Sequence, residues 1–323
     1  MTPYSASEEW RRQLEANESR RRRHHEAIES VIAHISARHE KPLQRLECLL
    51  RMGGLLVERR SEGIILSDNS HRHDARDLEF ELAQAGVTDC TPYTPLDPEL
   101  LVAIPWVKWF SRKRQMGYYA YYSPTSFFER THGFKLPTFG LDGMVAYLVK
   151  AYSSVGILTD FSCDGHGSGI VEVMVTDGPN KAWATVLLQS YIKPRFSLAN
   201  KWTPDGSLIY CQQIDRLDMF YLEILDVADA LYLNRIQLRR IRQWIIKELN
   251  GRLDDRSSYE DSLGVVGPLF SRALSEVMGS GDCLPEKKTS YISEPNGYMV
   301  SNVKWAHPGT GLNNPVFFIA HRA

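Results

Sequence analysis

Leu141, Met144, Val145, Leu148, Val149 and Tyr152 recur at i, i+3, i+4, i+7, i+8 and i+11, the spacing that lines one apolar face of an α-helix. Directly after it the period changes. Val155 to Phe161 reads as a strand, and Ile170 to Thr176 as a second, with Val171, Val173 and Val175 on one face. Asp177-Gly178-Pro179 ends that strand, and Trp183, Val186, Leu187 and Tyr191 suggest a covering helix. A hairpin around Asp205-Gly206 would then pair Phe196 to Trp202 with Ser207 to Gln212. The expected class is α+β, a mixed or antiparallel sheet with flanking helices.

Two further elements extend this core. From Ser7 to about His39 the pattern is helical, with Glu8 four residues before Arg12, Glu18 four before Arg22, and an apolar stripe only at Ile28, Val31, Ile32 and Ile35. This reads as an N-terminal helical arm, solvated at first and docked at its end. Its segment before Ala27 is expected to project, and either fray or pair with another chain. Asp215 to Leu249 reads as a long basic-amphipathic helix, or two broken near Asn234. Between arm and core, Pro42 to Leu50 predicts a helix stopped by Gly53-Gly54, Leu55 to Glu58 and Gly63 to Leu66 two short strands, and Leu78, Leu82 and Ala85 a helix closed by Gly86. Prolines 92, 95, 98, 105, 124 and 137 predict an elaborate loop region. Near the C-terminus a helix is expected at Leu269 to Met278, a hairpin at Asn296-Gly297 and a strand from Val316 to Ala320. The expected organisation is an arm over 1–40, a small α/β region with the proline-rich loop over 41–136, and a main α+β domain over 137–323.

A chain of 323 residues with 38 basic and 39 acidic side chains is no general polyanion coat, so any charged partner must be met locally. Its five cysteines are scattered without a CxxC pair, which fits a reducing compartment. Charged helix follows Met1-Thr2-Pro3-Tyr4 directly, and Glu223, Asp226 and Asp229 interrupt the apolar stretch from Met219 to Leu233. The expectation is a cytoplasmic protein with no membrane partner.

Between the two core strands lies Ser162-Cys163-Asp164-Gly165-His166-Gly167-Ser168-Gly169. Three chemistries fit it. Cys163 could be a nucleophile whose thiolate His166 stabilises, with Asp164 orienting the ring. Alternatively Cys163 and His166 could be two of four metal ligands, completed from Cys211, Cys283, His132, His307 or His321. Or Gly165, Gly167 and Gly169 could present N–H groups to a phosphate or carboxylate, although a glycine run joining strand to strand is no dinucleotide fingerprint. The structural reading is a tight hairpin with Cys163 as a small hydrophobe.

The order of a helix with Asp142-Gly143 near its start, a strand, Thr159-x-x-Ser162-Cys163-x-Gly165 and another strand resembles the core of the wybutosine-tRNA methyltransferase family over about fifty residues. The Ser-Cys-x-Gly-His-Gly turn is also similar to that of small uncharacterised phage proteins. The resemblance implies an α/β core acting on nucleic acid or a nucleotide-like ligand, with Ser162, Cys163 and His166 lining the site. His166 stands where that tRNA-modifying family has arginine, and the motif offers little footing for a methyl-donor cofactor.

Trp106, Lys108, Trp109, Phe110, Arg112, Lys113, Arg114, Tyr118, Tyr119, Tyr121 and Tyr122 interleave rings with cations, as single-stranded nucleic acid requires. Trp109, Arg112 and Arg114 are its candidate contacts, unless the rings are core. Arg235, Arg239 and Arg242 share a helical face that would ordinarily be solvated, and Arg20, Arg21, Arg22, Arg23, His24 and His25 form the densest cationic run, whose field the bracketing Glu15, Glu18, Glu26 and Glu29 reduce. His71-Arg72-His73-Asp74 carries too few ligands for a metal, and Asp74 reads as an N-cap. The functional expectation is a protein that acts on or binds nucleic acid or a nucleotide-like ligand through the Cys163–His166 turn. The alternative is a non-enzymatic interaction protein that meets a protein partner or a second copy through its arm.

Overall fold

The computed structural model describes residues 3–61, 63–67, 70–87, 94–111, 127–128, 138, 141–192, 201–202, 208–210, 214–279, 298–300 and 319–321. Its elements are α1 (Pro3–Arg38), α2 (Pro42–Met52), β1 (Val57–Arg60), β2 (Gly63–Leu66), α3 (Arg72–Gln84), α4 (Leu100–Ala103), α5 (Trp106–Phe110), α6 (Gly143–Ser154), β3 (Thr159–Cys163), β4 (Ile170–Val175) and α7 (Pro179–Val186), then β5 (Lys201–Trp202), β6 (Leu208–Tyr210), α8 (Leu217–Leu233), α9 (Arg235–Leu249), α10 (Tyr259–Gly279), β7 (Tyr298–Val300) and β8 (Ile319–His321). The fold is α+β. Every described strand pairing is antiparallel: a β1–β2 hairpin, a four-stranded sheet in the order β3-β4-β6-β5, and a β7–β8 pair.

Helix α6 is the hub. Its apolar spacing predicts one buried face, yet every residue from Gly143 to Ser154 is buried, with α8, α2, α5 and β3 packed around it. A helix enclosed on all sides needs partners for its polar groups, and its charged and central ones have them, while the Tyr152 hydroxyl is buried without one. Tyr147 donates its hydroxyl to Asp229 on α8 at 2.7 Å, and Lys150 donates to Asp74 on α3 at 2.5 Å. Asp74 itself is not the N-cap of α3. His71 holds that position, and Asp74, three residues on, accepts from the His71 N–H while its other oxygen takes both the Thr138 N–H and hydroxyl.

The long basic segment divides at Asn234, whose side-chain amide donates back to the Ala230 carbonyl at 2.8 Å. Its arginine face is turned inward, contrary to the solvated face expected. Arg239 donates to the Ser154 carbonyl at the C-terminus of α6, where a helix favours a cation. Arg242 is 2% exposed, lies 4.3 Å from the centre of the Phe127 ring and donates to the Phe127 carbonyl. No helix among the described residues is long and apolar enough to cross a membrane.

The arm is one continuous 36-residue helix, about 54 Å long at 1.5 Å per residue. Its second half, from Ala27 through Ile35, belongs to the same apolar core as α2, α6 and α8. Residues 8–18 are exposed throughout, Trp10 at 65% and Leu14 at 40%. Docking starts earlier than the apolar stripe indicates, because His24 is buried at 4% exposure. Deleting residues 1–18 should therefore shift the melting temperature by less than about 2 °C, whereas deleting through His25 should cost several degrees. Calorimetry of the two truncations checks this, and an equal loss from both would show that the exposed half carries stability.

Candidate functional site

Strand β3 ends at Cys163, and the chain then tightens into a single 3-10 turn, Gly165–Gly167, before β4 begins. Asp164 fixes that turn by accepting the His166 backbone N–H at 3.0 Å. Glycine is required at two of its positions by close backbone approach. A Cβ at Gly165 (φ +75) would stand 2.0 Å from the Ile170 carbonyl oxygen, and one at Gly167 (φ +82) 2.1 Å from the Arg20 carbonyl oxygen of α1. His166 holds φ +45, ψ +41, a left-handed conformation that costs a non-glycine residue on the order of 1 kcal/mol and that clusters at functional sites.

That contact with α1 delivers His24. Its Nε2 lies 3.3 Å from Asp164 Oδ2, while His166 Nδ1 lies 3.0 Å from Asp164 Oδ1. Asp142 joins from the start of α6. At its N-cap position it makes no side-chain capping bond, and Oδ2 instead accepts the Asp164 N–H at 3.3 Å and faces His166 Nε2 at 3.5 Å. Tyr221 of α8 donates its hydroxyl to the Asp164 carbonyl at 3.0 Å, anchoring the turn from below. Five reactive groups thus converge from α1, the start of α6 and the β3–β4 turn. The donor atoms of His24, Asp164 and His166 lie within 4.8 Å of one another, as do those of Asp142, Cys163 and His166, and among the described residues no other such group occurs.

The electrostatics follow from burial and pairing. Burial alone would raise the Asp164 carboxyl, but the His166 hydrogen bond and the charge of His24 outweigh it and hold the carboxyl well below the usual range. Asp142 moves the other way, pushed up first by burial and then by the neighbouring Asp164 charge. His166 is raised to about 10, first by its hydrogen bond to Asp164 and then by Cys163. In chelator-treated protein the sign is fixed. The raised His166 contributes stability that is complete below about pH 6.5 and lost as pH climbs through about 10. The depressed Asp164 contributes stability that is present above about pH 4 and lost as acid reaches its folded pKa. Thermal unfolding should show its maximum between those limits, and His166→Gln should flatten the alkaline limb. An unchanged alkaline limb in that variant would exclude the pairing.

The structure thus brings Cys163, Asp164 and His166 together, as the turn implied, and adds His24 and Asp142. Asp142-Gly143 stood in the motif without a role, and nothing in local spacing marks His24. The remaining candidates are placed elsewhere. Ser162 sits opposite Val173 on the inward face, buried, with its hydroxyl unpartnered. Of the backbone cradle expected of Gly165, Gly167 and Gly169, the Gly165 N–H donates to Cys163 Sγ, while the N–H groups between them, of His166 and Ser168, donate to Asp164 Oδ1 and the Gly165 carbonyl. Trp109 is 1% exposed and stacked on Trp106 and Phe110, so its ring is core and offers no face to a base. Arg112 and Arg114 lie outside the described residues, as do Cys211, Cys283, His132 and His307, and of His321 only the backbone is described.

No family model, no curated protein and no solved structure matches the chain. The site must be read from its own chemistry.

Proposed function

We propose that the protein binds, and acts on, a phosphate-bearing ligand of nucleic-acid or nucleotide type at the His24–Asp142–Cys163–Asp164–His166 site. One observation carries this reading. The stretch of α1 that touches Gly167 and supplies His24 is also the densest cationic run of the chain, Arg20 to Arg23. Arg20, Arg21 and Arg22 are exposed, and the shielded Nε of Arg23 has no hydrogen-bond partner. Cations beside a partly open, strained histidine suit a ligand with negative charge and a reacting centre that needs proton transfer or polarisation. The left-handed His166 supports the same reading, since its backbone strain is offset by the surrounding hydrogen bonds.

The test is a labelled oligonucleotide followed by fluorescence anisotropy across a salt series. Affinity should fall with salt, with a log–log slope of about −0.7 per contacted phosphate, and Arg20→Glu with Arg21→Glu should weaken binding at least about tenfold and flatten the slope. If the ligand is turned over, His166→Gln should slow turnover by about 10²–10⁴-fold. No binding of oligonucleotide or nucleotide at low salt would overturn the proposal. A second reading is favoured by Trp10 and Leu14, whose exposure on the projecting half of α1 suits a protein partner or a second copy. It expects self-association or partner capture that disappears when residues 1–18 are removed, with ligand binding intact.

A further inference from the structure

We propose that His24, Asp164 and His166 form a binding site for a divalent transition-metal ion of the zinc class, with Asp142 and Cys163 flanking it on the other side of the His166 ring. This stands independently of the phosphate reading, because it rests on the geometry of the donors alone.

Two buried polar atoms at the turn make no hydrogen bond. His24 Nε2 and Asp164 Oδ2 belong to side chains only 5% and 1% exposed, are shielded from solvent, and have no hydrogen-bond partner. They form an ion pair at 3.3 Å, and the ligand atoms of His24, Asp164 and His166 all lie within 4.8 Å of one another. Two ligands bonded at about 2.0–2.1 Å to a tetrahedral ion stand about 3.3–3.4 Å apart, which matches that separation.

The donor types then select the ion. Two imidazoles with one carboxylate, and a thiol within reach, suit zinc, cobalt, nickel or ferrous iron, whereas magnesium and calcium prefer oxygen throughout. Two carboxylates, Asp142 and Asp164, supply the negative charge that a buried dication requires. The Tyr221 bond to the Asp164 carbonyl and the Asp142 bond to its N–H hold the central ligand from outside the sphere, as ligating residues in metal sites usually are held. His166 is 29% exposed at its side chain and Cys163 is partly exposed, so the sphere opens to solvent on that side. An open position of this kind would let the ion polarise a substrate oxygen or lower the pKa of a bound water.

The experiment uses the full chain, stripped with chelator, dialysed, and titrated with Zn²⁺, Co²⁺ and, as a control, Mg²⁺. Zn²⁺ should bind at one equivalent per chain and raise the melting temperature by roughly 3–6 °C, and Co²⁺ should develop visible absorption bands. His24→Gln and His166→Gln should each weaken zinc binding at least about 100-fold and remove the thermal shift. Because His24 is buried, His166→Gln carries the test if the other variant fails to fold. Absence of stoichiometric zinc uptake, unchanged affinity in His166→Gln, or equal uptake of Mg²⁺ would overturn the proposal. Zinc uptake without oligonucleotide or nucleotide binding would uphold this inference while overturning the phosphate reading, and the reverse result would do the opposite.

Discussion

Asp74→Ala is expected to remove about 3–5 kcal/mol of unfolding free energy, enough to leave the protein largely unfolded under conditions where the parent is stable. Asp74 is fully buried and Lys150 is 3% exposed. Removing the carboxylate takes from Lys150, on a helix enclosed on all sides, an anionic partner 2.5 Å away, and takes from the Thr138 and His71 N–H groups their acceptor, while the Thr138 hydroxyl keeps the Gly54 carbonyl at 3.1 Å. An uncompensated buried charge is far more costly than the pair it came from. The companion variant Asp74→Ala with Lys150→Met removes the buried ammonium as well and should recover part of the loss, leaving the cost of the acceptor lost to the Thr138 and His71 N–H groups. Urea unfolding of the two variants measures both quantities. A loss below about 1 kcal/mol for Asp74→Ala would mean that water reaches this layer and that α6 is not the enclosed hub described above.

Gly167→Ala should cost about 2–4 kcal/mol and, more tellingly, lift α1 off the turn. Its φ of +82 already disfavours a side chain, and the added Cβ would stand 2.1 Å from the Arg20 carbonyl oxygen, a backbone atom that cannot swing aside. Gly251 supplies an internal control. It has φ +77 but nothing within 4 Å of an added Cβ, so Gly251→Ala carries the conformational penalty alone, about 1 kcal/mol. Hydrogen exchange should show faster amides from Arg20 to Ile28 in Gly167→Ala and no change there in Gly251→Ala. Equal costs and equal exchange would mean that α1 does not rest on the turn, and His24 would then lose its place in the site.

These two positions also show what was readable in the chain. The helix at Leu141 to Tyr152, the second strand of the Cys163 turn and the division at Asn234 were legible because local period and turn chemistry decide them, whereas the first strand, expected over Val155 to Phe161, runs from Thr159 to Cys163 because α6 caps at Val155. Cys163, Asp164 and His166 were legible as a group because they are contiguous. His24 was not, since its role depends on where a remote helix docks, and the glycine that admits the helix looks in sequence like any other turn glycine. Trp109 misled for a related reason: rings at helical spacing beside cations read alike whether they stack on bases or on one another. The Arg239–Arg242 face misled because a charged stripe gives no sign that it meets helix carbonyls and an aromatic ring instead of solvent. Asp74 read as a cap from its position, and its partner Lys150 lies seventy-six positions away on another element.

The convergence of α1 with the β3–β4 turn is tested most directly by anomalous diffraction from crystals of the zinc-loaded full chain. The expected result is a single strong zinc peak about 2.0–2.2 Å from donor atoms of His24, Asp164 and His166, with α1 seated on Gly167. A peak ligated by other residues, or no peak at the turn in crystals that contain zinc, would contradict it.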